Sequence, residues 1–208
     1  MSLSITIIII IVTVAASLYA WNNGAIYQKW LFNPYIVQAR KEYWRFLTSG
    51  FIHVNYTHLF FNMFALYFFG TNVSYYFGAE FGSIGRLLFL GLYILGIIIS
   101  DIPTFLKHRN TPNYSAVGAS GGVAAVVFSS IVFDPLNKIY IFFIPYGIPG
   151  FLLGALYLLY SYFQSKRMAD NINHDAHLYG ALFGVVFTIL LNPGTVPEFF
   201  EAISNWSL

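Results

Sequence analysis

Ser120 stands in the stretch Val117-Gly118-Ala119-Ser120-Gly121-Gly122-Val123, at the mouth of a hydrophobic run that reaches Phe133. Two readings of a hydroxyl among three glycines are open. Small residues let helix backbones approach closely in lipid, and Ser120 is then one of them. Alternatively, Ser120 is a nucleophile, which requires a base, oxyanion donors and access for water. His177 is the candidate base, since a neutral imidazole can take the hydroxyl proton near neutral pH. Gly180 and Gly184 follow His177 by one and two turns, on the same helix face. Close approach of that face to Gly118, Gly121 and Gly122 would set His177 against Ser120. The competing role for His177 is an interhelical hydrogen bond.

Donors for a developing oxyanion are found in another stretch. His58 and Asn62 are four apart, so they share one face of a helix. Both are polar groups inside an apolar run, where an unsatisfied polar group is costly. The Asn62 amide, the His58 ring and the backbone N–H of Ser120 can each donate to an oxyanion. Asp175 lies two residues from His177, on another face, and reads as a helix N-terminal charge. The reacting set is therefore a dyad, not a triad.

The elements that must position these residues are membrane spans. Of the 208 residues 58% are hydrophobic and 9% are charged, against about 25% charged in soluble domains. Aromatics at 20% suit surface at headgroup depth. With no cysteine, disulfides and thiolate sites are excluded. A net charge of +2, with scattered basic residues, argues against nucleic acid as a partner. One membrane domain is expected over 1–208, with spans near 3–20, 57–76, 87–100, 116–133, 139–163 and 175–191. The first is read as a retained span, since no basic residue precedes Lys29 to make a signal peptide. Asp101 and Pro103 are expected to end the third. Pro145, Gly147, Pro149 and Gly150 point to a kink or a late helix start in the fifth. Residues 22–56 form a long connection, partly in the interface and anchored by Trp21, Trp30 and Trp44.

Six spans put His58, Ser120 and His177 near one depth, below one face. The loops on that face hold Lys29, Arg40, Lys41, Arg45, Lys107, Arg109, Lys166 and Arg167, eight of the ten basic residues. That bias places the face in the cytoplasm.

Together these residues resemble the rhomboid intramembrane serine proteases, over about Trp44 to Leu191 and the preceding span. Trp44-Arg45 is similar to the family's Trp-Arg pair of the first loop. His58-Leu-Phe-Phe-Asn62 is similar to its His-x-x-x-Asn, and Gly118-Ala119-Ser120-Gly121 to its Gly-x-Ser-Gly. Ala176-His177-Leu178-Tyr179-Gly180, continuing to Gly184, is similar to its sixth-span histidine and glycines. The resemblance implies an all-α, six-transmembrane-helix rhomboid-like bundle. It implies Ser120 as nucleophile and His177 as general base and acid. His58, Asn62 and the Ser120 amide would form the oxyanion hole, with Gly118, Gly121, Gly180 and Gly184 packing the helices round it. The partners implied are the lipid bilayer and transmembrane segments of other proteins, cut near the membrane boundary, with no cofactor and no metal. The fifth span and the loop 164–173 would gate and cap the site, with Met168 as plug or as a lipid-facing residue. The family's usual orientation, in a cell membrane with the active face outside the cytoplasm, opposes the charge bias.

Two positions depart from the pattern. The family often has an aromatic one turn after the serine, stacking on the base, and here that position is Ala124. His177 must then be held by Tyr179 or by a neighbouring span. A Glu that ties down the first loop is replaced by Ser74, with Glu80 six residues later. One rival reading is therefore a weak or inactive rhomboid-like scaffold that binds membrane-protein clients. A second is a metal site built from His53, His58, His174 and His177. It lacks the glutamate of the metalloprotease pattern and any cysteine, and His53 and His174 are expected in interface loops. No internal repeat of broken spans supports a transporter.

Overall fold

The structure is a computed structural model and describes residues 4–141, 145–167 and 172–207. Side-chain caps start several of the helices. Ser4 accepts from the Ile7 N–H to open α1 (Ile5–Trp21). Asn23 and Asn33 do the same for α2 (Gly24–Trp30) and α3 (Pro34–Arg40). A short α4 (Arg45–Thr48) follows, running into a tight turn at Ser49–Phe51. Asn55 then caps α5 (Tyr56–Phe81) through the His58 N–H. These Asn side chains satisfy N–H groups that a helix cannot pair internally.

Next come α6 (Gly85–His108), α7 (Ser120–Phe133), α8 (Gly150–Arg167), α9 (His174–Leu191) and α10 (Thr195–Ser204). Asn173 caps α9 by accepting from the Ala176 N–H. By length and hydropathy, the stretches Tyr56–His108 and His174–Leu191 can cross a membrane.

Two expectations about element ends need correction. Asp101 and Pro103 do not end the third apolar run at Ser100, because α6 continues to His108. Proline removes one N–H and crowds one carbonyl, and neighbouring groups in a bundle absorb both. Asp101 is held in place by the Asn173 side-chain N–H at 3.2 Å. The fifth helix does not begin at Ile139. Lys138–Ile139 and Ile148–Pro149 instead form strands β1 and β2, paired antiparallel, and α8 starts at Gly150. Residues 142–144 of the expected span, and Met168, lie outside the described residues.

Pairings give the directions. Gly180 meets Gly121 and Gly184 meets Ala125, so α7 and α9 run parallel. His58 lies against Gly118, and Tyr76 stacks on Phe133 at 4.9 Å, so α5 runs with them. Ser100 faces Gly121 while Gly96 faces Gly122 and Ala125, so α6 runs the other way. The first turns of α5, α7 and α9 therefore share one end of the bundle. Toward the other end, the Thr188 and Ser129 hydroxyls are hydrogen-bonded at 2.7 Å, a polar staple between α9 and α7.

The 22–56 connection is a folded lobe at that end, built round a buried cation. Arg45, 5% exposed, pairs with Glu42 at 2.6 Å and donates to the Gln28 and Leu31 carbonyls. Neither replacement for the missing Glu reaches this lobe. Ser74 Oγ bonds Thr6 Oγ1, tying α5 to α1, and Glu80 accepts from Asn192 Nδ2 beyond α9. Arg45 and Glu42 order the loop from within.

Candidate active site

Ser120 is the first residue of α7 and is half-buried. Its own N–H has no partner inside the helix, as for any first-turn residue. The chain leading to it is stitched to the lobe. Phe32 and Ala116 exchange both backbone hydrogen bonds, at 3.0 and 2.9 Å. The Gly118 N–H donates to the Ser49 carbonyl at 2.9 Å. The Ala119 N–H donates to His53 Nε2 at 3.4 Å. Gly118 takes φ +124°, a conformation that suits glycine. A Cβ there would stand 2.5 Å from His58 Cε1, so Gly118 packs on an imidazole and not on a helix backbone, as expected above.

Gly121, Gly180 and Gly184 have the helix-packing geometry. A Cβ on Gly180 would overlap the Gly121 carbonyl, one on Gly184 the Ala125 carbonyl, and one on Gly121 the Ser100 side chain. The α7 and α9 backbones touch, which leaves Ser120 and His177 in the first turns of two parallel, abutting helices.

The His177 ring lies against aromatic faces. Tyr157 of α8 stacks on it, with centroids 6.2 Å apart and planes 20° apart. His174 meets it edge-on at 5.8 Å, and Tyr160 meets His174 at 5.6 Å. Tyr179 is 42% exposed, and the tyrosine ring stacked on the imidazole is that of Tyr157 in the neighbouring helix. Asp175, in the first turn of α9, pairs with Lys107 at 3.0 Å.

Asn62 is buried and donates one amide N–H to the His58 carbonyl at 2.9 Å. That bond uses one of two amide protons and fixes the side chain one turn from His58. The His58 ring meets the His53 ring edge-on at 5.0 Å.

His53 is the residue that sequence reasoning undervalued. It is fully buried, not at an interface. Because Nε2 accepts from Ala119, Nδ1 carries the proton and donates to Ser17 Oγ at 3.1 Å; Ser17 then donates to the Phe51 carbonyl. Trp21 Nε1–H donates to the His53 carbonyl at 2.7 Å. Burial, with the nearby His58 as a smaller cause, lowers the His53 imidazole to about 3, so it is neutral. His53 thus links α1, the lobe and the residue before Ser120. The available signal was its spacing, five residues before His58. His174, likewise, is buried at the start of α9 and not in a loop.

Behind Ser120 lies a cavity of about 10 Å³, lined by Ser49, Ser100, Asp101 and Asn173 among others. Its size and its polar walls suit one water.

Helices that share one end, with histidine, serine and asparagine gathered near it, make an apolar helical bundle with a polar end. Residues 40–194 match the Rhomboid domain, and the chain belongs to the rhomboid family. It is 30% identical over 156 residues to RHOMBOID-like protein 12, mitochondrial, of Arabidopsis thaliana, covering 67% of this chain and 44% of that protein. It is 28% identical to Rhomboid-like protein 11, chloroplastic, of the same plant, over 76% of this chain and 56% of the relative. Rhomboid protease GluP of Bacillus subtilis is also 28% identical, over 70% of this chain and 26% of its own length. The chain spans about half the length of the two plant relatives.

Proposed function

We propose that this chain is an intramembrane serine endopeptidase that cleaves transmembrane segments of other membrane proteins. The observation that carries the reading is the backbone contact of α7 and α9, which supports Ser120 and His177 as one reacting pair. In this scheme His177 takes the Ser120 proton as Oγ bonds to the scissile carbonyl carbon. The carbonyl π electrons move onto oxygen. The Ser120 N–H, the Asn62 amide and His58 donate to that oxyanion, at the positive end of α7. Collapse breaks the C–N bond, and His177 returns the proton to the leaving amine. A water, deprotonated by His177, then attacks the acyl-enzyme carbonyl, and Ser120 leaves with the proton restored.

Six crossings are proposed for α1, α5, α6, α7, α8 and α9. Helix α7 has 14 residues, about 21 Å at 1.5 Å per residue, against a hydrocarbon core of about 30 Å. A helix that short starts below the membrane surface, so Ser120 would work at depth. The irregular chain before it is buried in protein, as backbone at that depth must be. The active face is proposed to lie outside the cytoplasm of a cell membrane. Ion pairing of Arg45 and Lys107 weakens the opposing charge count.

The test is labelling by a serine-directed fluorophosphonate. The proposal expects wild type to label at Ser120, with Ser120→Ala and His177→Ala unlabelled. A folded wild type that does not label, yet binds transmembrane clients, favours a scaffold and overturns the enzyme reading.

A further inference from the structure

Ala124 sits one turn after Ser120 on α7, 5% exposed and packed in one cluster with Phe128 and Ala181. A methyl group at that position cannot reach over the imidazole. The space is taken from another helix, because Tyr157 of α8 packs on the same cluster. Its ring lies 20° from parallel to His177. Tyr157 also contacts Phe128 at 5.7 Å, so it bridges α7 and α9.

The helix that supplies this ring contacts the bundle along one narrow face. Among its described residues only Gly150, Gly154 and Ser161 are buried, while Leu152, Leu156, Leu159, Tyr160, Tyr162 and Phe163 are exposed. Gly154 lies against Ile131 and Phe128 of α7, and Tyr157 follows it by three residues on the inner face.

Resting on the proposed dyad, we infer that Tyr157 is a positioning residue that holds the His177 imidazole for proton exchange with Ser120. The base is thereby set from α8 and not from the serine's own helix. A shift of α8 moves the ring that orients the base, so the helix's position and the base's alignment are coupled.

The experiment measures the fluorophosphonate labelling rate of Ser120 in full-length protein for Tyr157→Phe, Tyr157→Leu and Tyr157→Met, with thermal midpoints recorded alongside. Tyr157→Phe keeps the ring and should label within about twofold of wild type. Leu and Met fill the volume without an aromatic face and should label about three- to tenfold more slowly, the scale of one aromatic pair. Rescue by Phe marks the stacked face as the working part, since a purely packing role is met by Leu or Met. Leu156→Ala, on the exposed face of α8, should label at the wild-type rate. Leu or Met variants that label like wild type overturn the inference, as does a Phe variant as slow as Leu. Should Leu fail to fold, Met and Phe decide the question. Wild type failing to label at all would instead sink the dyad itself, so the two failures are distinguishable.

Discussion

The backbone of Gly121 passes directly beneath Gly180, so close that a Cβ on Gly180 would overlap the Gly121 carbonyl. Four residues on, Gly184 repeats the contact with Ala125. The obstacle is backbone in both cases, and it cannot rotate aside. Gly180→Ala should therefore push α7 and α9 apart, at a cost of about 1–3 kcal/mol, the range for overpacking. The expected result is a lower thermal midpoint and a disproportionate loss of Ser120 labelling. Gly78, with nothing near its Cβ position, supplies the control, and Gly78→Ala should lower neither.

Asn62 should matter to rate more than to fold. One amide proton is bonded within α5, which leaves the other for the proposed oxyanion hole. Asn62→Ala should lower turnover by about 10²-fold or less, as for one of several oxyanion donors. Steady-state kinetics on a transmembrane substrate checks this, and an unchanged kcat removes Asn62 from the oxyanion hole.

His53 makes stability depend on pH. In the unfolded chain its imidazole takes a proton near the ordinary value of 6.5, and in the fold only near 3. The unfolded state therefore binds the extra proton between those values. Stability from this group is full above pH 6.5 and falls as pH drops toward 3, by up to about 1.4 kcal/mol per pH unit. Unfolding midpoints in detergent, taken from pH 7 to 4, should fall more steeply for wild type than for His53→Gln. Equal slopes would remove His53 as the linked group.

Arg45 should hold the lobe. Arg45→Ala leaves the Gln28 and Leu31 carbonyls without their donor and Glu42 without its partner. The expected loss is about 3 kcal/mol, the scale of a broken buried pair. Arg45→Lys restores charge but not the fork that reaches three acceptors at once, and should recover only part of it. Thermal unfolding of the three proteins reads the difference.

What could be read from the residues was local. Gly180 and Gly184 follow His177 in helical phase and Gly118, Gly121 and Gly122 surround Ser120, so the close approach of two helices was legible. The ring that faces His177 was not. Tyr157 is one of 16 tyrosines, 20 residues from His177 on a different helix, and nothing in its own neighbourhood marks it. His53 was misjudged because its burial comes from α1 and the chain before Ser120, both remote in sequence. Pro103 is locally a helix end, but the surrounding helices let α6 continue through it. The connection 22–56 was legible as a long segment, but its division into α2, α3 and α4 was not. These helices are only four to seven residues long and are held by Asn caps and by Arg45.

The most direct measurement is cleavage of a generic transmembrane substrate in detergent by wild type, Ser120→Ala and His177→Ala. The account predicts that wild type cuts and that both variants fold but do not. Cleavage by folded Ser120→Ala at the wild-type rate would contradict it.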